Sequence, residues 1–306
     1  MTEIKRKSKK TADVLVFFAF LIILIFFASQ IKSAIIYGIK LSVSSIIPSL
    51  FPFMILSDYL VSITSDAGNG KAGFFFEKIF GISGGGLTSF ICGAVCGFPL
   101  GISCAKELHN QGSITKSEFE RLSFFVNNPS LAFTVCAVGL GMRGSLCDGL
   151  ILYFSVLISA VFVGLVLRSK REKKRIPYIN SRQSFDLVSS IKNAAYSSIT
   201  ISSYVIFFSA ALGVISTLIK SDAVLIIASP FLEVGSASKI ISEATALPYA
   251  LSMALSAFAL GFSGFSVHLQ AFAVMPPDSP RAKYLLMKLL GGVIAFFLAL
   301  VISLLI

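Results

Sequence analysis

Eight long stretches of this chain carry no charged residue: 14–31, 41–57, 79–105, 122–142, 149–167, 193–219, 244–267 and 289–306. A helix needs about 20 mainly apolar residues to cross the hydrocarbon of a bilayer, and fewer where its flanking side chains reach the interface. With 55% hydrophobic and 13% charged residues, the chain has too little polar surface for a domain bathed in water. The expectation is an all-α polytopic membrane protein in contact with the lipid bilayer. A ninth apolar stretch, 223–232, is too short to cross and holds Pro230, so it is expected to be re-entrant or interfacial.

Three breaks interrupt these stretches: Gly97-Phe98-Pro99-Leu100-Gly101, Asn127-Asn128-Pro129 and Gly261-Phe262-Ser263-Gly264. Irregular backbone frees N–H and C=O groups that hydrocarbon cannot satisfy. At membrane depth it therefore survives only inside protein or along a cavity. In transporters, such broken helices form substrate and ion sites near the midplane. The breaks point to a buried binding site.

Charge placement gives the topology. Lys5, Arg6, Lys7, Lys9 and Lys10 precede the first stretch, and Arg168, Lys170, Arg171, Lys173, Lys174 and Arg175 follow the fifth. Basic residues close to span ends stay on the cytoplasmic side, which puts the N-terminus in the cytoplasm of a multi-pass cell-membrane protein. The clusters are short and adjoin no soluble domain, so no nucleic-acid partner is expected. No small-x-small cleavage site follows stretch 14–31, which is read as an uncleaved first span. Two cytoplasmic clusters require an even number of crossings between them, yet five stretches intervene. Either 79–105 or 122–142 must therefore dip in and out as a hairpin.

At a separation of 164 residues Gly97-Phe98-Pro99 falls on Gly261-Phe262-Ser263, and Asn127-Asn128 falls on Gly291-Gly292. The Ser-rich segment around Ser42, Ser44 and Ser45 likewise resembles that around Ser198, Ser202 and Ser203. Two such units beginning on opposite faces make an inverted repeat, here with broken or re-entrant helices. The expected organisation is a basic N-terminus and first transmembrane helix (1–32), a first gate-type repeat (33–145), a connecting helix and basic cytoplasmic linker (146–192), and a second gate-type repeat (193–306). Thr115 followed by Glu118 forms a capping box that should start a helix running into stretch 122–142.

If the cargo is an anion, two helix N-termini at one midplane site would hold it without a buried cation. Gly97, Phe98, Pro99 and Gly101 form one such elbow, and Gly261, Ser263 and Gly264 the other; the competing reading makes them close-packing points and a kink. Asn127 and Asn128 offer amides to the cargo or to a helix interface. Glu233 follows an uncharged run and could carry H⁺ or Na⁺ as an ion-coupling group, unless it is solvated at the interface. His268 and Gln270 lie just past the second break; His268 suits a dianion, a proton relay or a structural hydrogen bond. Cys92 and Cys96 share a helix face without any nearby His or acidic residue, so they read as packing residues. Neither a metal nor another cofactor is expected. With no nucleotide-binding loop, no His-Glu-x-x-His and only His109 and His268 for a triad, neither is catalysis.

Gly-Phe-Pro-Leu-Gly, a polar turn with Gln111-Gly112, and Ser117-Glu118-Phe119-Glu120-Arg121-Leu122 leading to Asn127-Asn128-Pro129 form one set of motifs. Phe231-Leu232-Glu233-Val234-Gly235 and Gly261-Phe262-Ser263-Gly264-Phe265-Ser266-Val267-His268-Leu269-Gln270 form another. In combination they resemble the sporulation integral membrane protein YlbJ family, within the nucleoside-recognition or gate domain group. The resemblance implies a transport-like role in endospore formation: passage of dipicolinate, a small aromatic dianion, out of the mother cell across the mother-cell-derived forespore membrane. This chain is shorter than typical members in its middle, and Leu100-Gly101 departs from the usual Ala or Ala-Gly continuation. The reading is thus a transporter or facilitated pathway for a small anionic metabolite, compatible with a homo-oligomer. The alternatives are a non-transporting scaffold of a sporulation complex and a nucleoside or cation carrier.

Overall fold

The computed structural model describes residues 2–64, 68, 70–169, 185–219 and 221–306. Among them the regular elements are helices: α1 (Thr2–Phe26), α2 (Ala28–Leu41), a π-helical turn (Ser42–Ile46), α3 (Ile47–Thr64), α4 (Lys71–Phe80), α5 (Gly86–Val95), α6 (Leu100–Asn110) and α7 (Lys116–Val126). A π-helix (Ala132–Met142) and α8 (Leu146–Val166) follow. The remainder is α9 (Leu187–Leu218), α10 (Asp222–Leu232), α11 (Val234–Glu243), α12 (Tyr249–Phe262), α13 (Gly264–Val274) and α14 (Arg281–Leu305). Leu146–Val166, Leu187–Leu218, Tyr249–Val274 and Arg281–Leu305 are each long and apolar enough to cross a bilayer. The protein is an all-α polytopic membrane protein. Lys170, Arg171, Lys173, Lys174 and Arg175, with most of the linker, lie outside the described residues.

The first apolar stretch departs from expectation. Instead of one straight span over 14–31, Val14–Phe26 and Ala28–Ser44 meet at a bend of 85°. Phe27 leaves helical geometry at φ −107 and ψ 22. The cause is unequal anchoring. In α2, Gly38 comes so close to α9 that an added Cβ would meet the Ile206 Cα at 3.0 Å. The side chains of α1 from Val14 to Phe26 are largely exposed, with Phe26 at 78%, so little packing holds α1 in line with α2.

Stretch 79–105, one of the two candidates for a hairpin, folds back on itself. The Ser89 hydroxyl donates to the Gly101 carbonyl at 2.8 Å, which contacts across twelve residues permit only if α5 and α6 fold back on each other about Cys96-Gly97-Phe98-Pro99. Gly93 and Gly101 clasp the Val126 carbonyl between them, and a Cβ at either position would strike it. A second hairpin, α10 and α11, turns at Glu233 and shares Ile226, Ala237 and Ile241 in one apolar cluster. Stretch 223–232 is one arm of this hairpin.

These hairpins reset the internal register. Gly97 to Glu233 and Asn127 to Ser263 are both intervals of 136 residues, and α5, α6, α7, the π-helix 132–142 and α8 recur in order as α10 to α14. The interval of 164 matched Asn127 to Gly291, which sits inside the uninterrupted α14. Small residues are frequent in membrane helices, and that match rested on them. Packing confirms the shorter interval. Contact of α6 with α13 is mirrored by α11 with the π-helix 132–142, and contact of α7 with α14 by α12 with α8. Polar clamps obey the same exchange: Lys116 pairs with Asp278, and Arg143 Nη1 donates to the Ser252 hydroxyl at 3.1 Å. Leu152 and Val156 of α8 share a cluster with Ala295 and Ala299 of α14, whereas Ala160 and Val163 share another with Tyr284. The two helices therefore run antiparallel, as a two-fold axis lying across them produces.

The capping box forms as the sequence predicts. Thr115 Oγ1 accepts from the Glu118 N–H at 3.2 Å, and Glu118 Oε2 accepts from the Thr115 N–H at 2.8 Å. Glu118 Oε1 accepts from both the N–H and the hydroxyl of Ser83 at 2.8 Å, tying the start of α7 to the loop before α5. Replacing Glu118 by Ala leaves these donors unpaired in a buried place and should cost about 2 kcal/mol. Thermal unfolding in detergent should rank Glu118→Ala well below Thr115→Ala, which loses one cap bond.

Candidate functional site

The first half's second break creates the site. Pro129 disfavours helical geometry for the residue before it, and α7 ends as Asn127 turns to φ −89 and ψ 77. Two groups freed at this break are taken up by the last helix. Lys288 Nζ donates to the Asn127 carbonyl at 2.7 Å, and Asn127 Nδ2 donates to the Tyr284 hydroxyl at 2.7 Å. That hydroxyl lies 3.4 Å from His268 Nδ1, and the His268 ring stands edge-on to Phe262 at 4.7 Å. Asn127, His268 and Tyr284 are 0% exposed and Lys288 3%. Asn127 Oδ1 and His268 Nε2 find no hydrogen-bond partner among the described residues.

Tyr284 and Lys288 are one turn apart on the buried face of α14, which continues through Gly291, Gly292, Ala295 and Ala299. Among the described residues no carboxylate pairs with Lys288. The Lys288 amine, on a membrane-spanning helix, thus rests on a carbonyl, an acceptor without net charge. Ionisable residues in such a position are costly and serve function. The internal register sharpens the point: its counterpart, 136 residues earlier, is Leu152, buried in an apolar cluster. Architecture common to the two halves does not require a cation here.

The structure thus joins Asn127 to His268 through Tyr284. Asn128 instead donates its amide to the Phe125 carbonyl at 2.7 Å, closing the end of α7. The glycine elbows meet backbone of their own halves. Gly97, at φ 83, lies against Ser130, and Gly264, at φ 72, lies against Leu232 and Glu233. Phe98 packs on Phe133 in a cluster that also holds Leu260 and Val267, and Pro99 immediately precedes α6. Gly261 packs against Gly292 and Ala295 of α14. Ser263, left-handed at φ 78, returns its hydroxyl to the Leu260 carbonyl at 2.9 Å. Gln270 is 5% exposed, with Oε1 unpartnered.

Glu233 is 1% exposed, so protein encloses it and it is not solvated. It is the N-cap of α11, with Oε1 accepting from the Gly235 N–H at 2.7 Å and Oε2 from the Ser236 N–H. Sequence reasoning missed Tyr284 and Lys288, because an uncharged stretch starting at 289 left Lys288 as a boundary residue. The signal was present in the helical spacing of Lys288 with the small residues that follow it.

Over 84% of its length, covering 74% of the relative, the chain is 26% identical to the sporulation integral membrane protein YlbJ of Bacillus subtilis (strain 168). No family model matches the chain, and no solved structure matches it.

Proposed function

We propose that this chain, as a member of the sporulation integral membrane protein YlbJ family, is a transporter or facilitated pathway for a small anionic metabolite. The observation that carries the reading is Lys288, a buried amine that pairs with no carboxylate among the described residues, placed on the broken backbone at Asn127. An incoming carboxylate supplies the missing negative charge. In a water-poor site that attraction is far stronger than in bulk solvent. The Tyr284 hydroxyl, the Asn127 amide and the unpartnered His268 Nε2 supply further polar contacts, and the cargo passes without chemical conversion. In this reading the two inverted units are 33–145 together with α8, and 193–306, with the N-terminus cytoplasmic. The family resemblance favours dipicolinate as cargo, moved from mother cell toward forespore.

Uptake of labelled dipicolinate into proteoliposomes tests this, with unlabelled dicarboxylates and nucleosides as competitors. The reading expects saturable uptake that unlabelled dicarboxylates suppress and nucleosides do not. Suppression by nucleosides would make the protein a nucleoside carrier. No saturable flux of any candidate would leave the scaffold role.

A further inference from the structure

A cavity of about 530 Å³ lies among α2, α9, α10 and α11, away from Lys288. Its walls are rich in hydroxyls, from Ser29, Ser33, Ser209, Ser216, Thr217 and Ser236. No Lys or Arg is among its lining residues; the one charged group there is Glu243, with Tyr37 as a second titratable side chain. Lys239 pairs with Glu243 at 2.6 Å. Glu243 is thus already paired, and what the chamber offers a visiting cation is its row of hydroxyl oxygens, which are hard donors.

At its inner wall the hydroxyls of Ser209 and Ser236 are 3.3 Å apart. Ser236 is also the residue whose N–H meets the buried Glu233 carboxylate. Behind Ser236 the carbonyl end of α10 meets Glu233, and Gly264 of the neighbouring break presses against the Leu232 carbonyl. Carbonyl ends of broken membrane helices and carboxylates are the oxygen ligands that hold alkali cations at depth. The Ser229 hydroxyl, one turn earlier on α10, is 0% exposed and has no partner among the described residues.

We propose that this cavity is a hydrated vestibule leading to a monovalent-cation site, for Na⁺, at the α10–α11 break, with Glu233 as the charged ligand and Ser236 and Ser209 as hydroxyl ligands. The proposal rests on the transport reading, to which it adds the coupling ion and its route. It separates the two charges by site: an anion at Lys288 and a cation at Glu233. A proton alone would need no row of hydroxyl oxygens.

The test uses the full-length protein in proteoliposomes without any cargo, so it reports on the cation site even if no anion is ever moved. A hydrophobic carbodiimide is allowed to react with carboxyl groups, and modification of Glu233 is followed by peptide mass spectrometry in NaCl and in choline chloride. Saturating Na⁺ should slow the modification of Glu233 about tenfold, as occupancy of the site requires, and choline should not. The Ser209→Ala and Ser236→Ala variants should still be modified but need more Na⁺ for the same protection. A Glu233 inert in every condition would make it a sealed helix cap and overturn the proposal. Equal rates in Na⁺ and choline, or rates that follow pH alone, would overturn it as well.

Discussion

Lys288→Gln is expected to lower saturable anion flux by about a hundredfold while leaving the folded protein intact. Glutamine keeps a donor for the Asn127 carbonyl, so the backbone at the break stays satisfied, and only the positive charge is lost. Truncating one member of a desolvated charge pair costs about 2–5 kcal/mol, and the lower part of that range already gives about a hundredfold. Lys288→Arg should recover part of the flux, since it restores charge in a bulkier shape. Initial uptake rates together with gel-filtration profiles separate loss of transport from loss of fold. Unchanged flux in Lys288→Gln would remove the anion from this site.

The largest stability effect is expected at Asp148. Its carboxylate receives the Arg143 Nε–H at 2.9 Å, the Tyr249 hydroxyl at 3.0 Å and the Ser145 hydroxyl at 2.9 Å. The pair is nearly enclosed, with side chains 7% and 11% exposed. Arg143 in turn reaches Ser252 and Ser256 of α12, so one carboxylate holds the two halves together at this end. Asp148→Ala strands a buried guanidinium and should cost about 3–5 kcal/mol. Removing both charges with Arg143→Leu and Asp148→Leu should cost clearly less, because no unpaired ion remains. The Lys116–Asp278 clamp is its counterpart but lies 53% and 63% exposed. It should contribute little, as exposed pairs do. Chemical or thermal unfolding of Asp148→Ala, the double variant and Asp278→Ala in one detergent gives the ranking.

Features set by neighbouring residues were legible in the sequence. Asn-Asn-Pro and the glycine elbows break helices because Pro restricts the residue before it and Gly accepts left-handed geometry, and the structure breaks at each of the three. The Thr115–Glu118 box is equally local. Features set by distant packing were not legible. The bend at Phe27 has no Gly or Pro to announce it and follows from α2 being held by α9 while α1 is not. The register of the halves was obscured because small residues recur at many spacings; only the hairpin at Glu233, read as a fold-back and not as an interfacial segment, reveals it. Lys288 stands in the sequence only as the residue before an uncharged stretch. Its burial depends on Asn127 arriving from 161 residues away.

The central claim is that the break at Asn127-Asn128-Pro129 lines the path of an anion. Its most direct test replaces Cys92, Cys96, Cys104, Cys136 and Cys147, installs Asn128→Cys, and measures reaction with a small, negatively charged, membrane-impermeant thiol reagent in proteoliposomes. This position should be modified, the reaction should be slowed by dipicolinate, and that protection should vanish in Lys288→Gln and persist in part in Lys288→Arg. A cysteine there that stays unreactive while the protein transports, or one whose reaction the anion leaves unchanged, would contradict it.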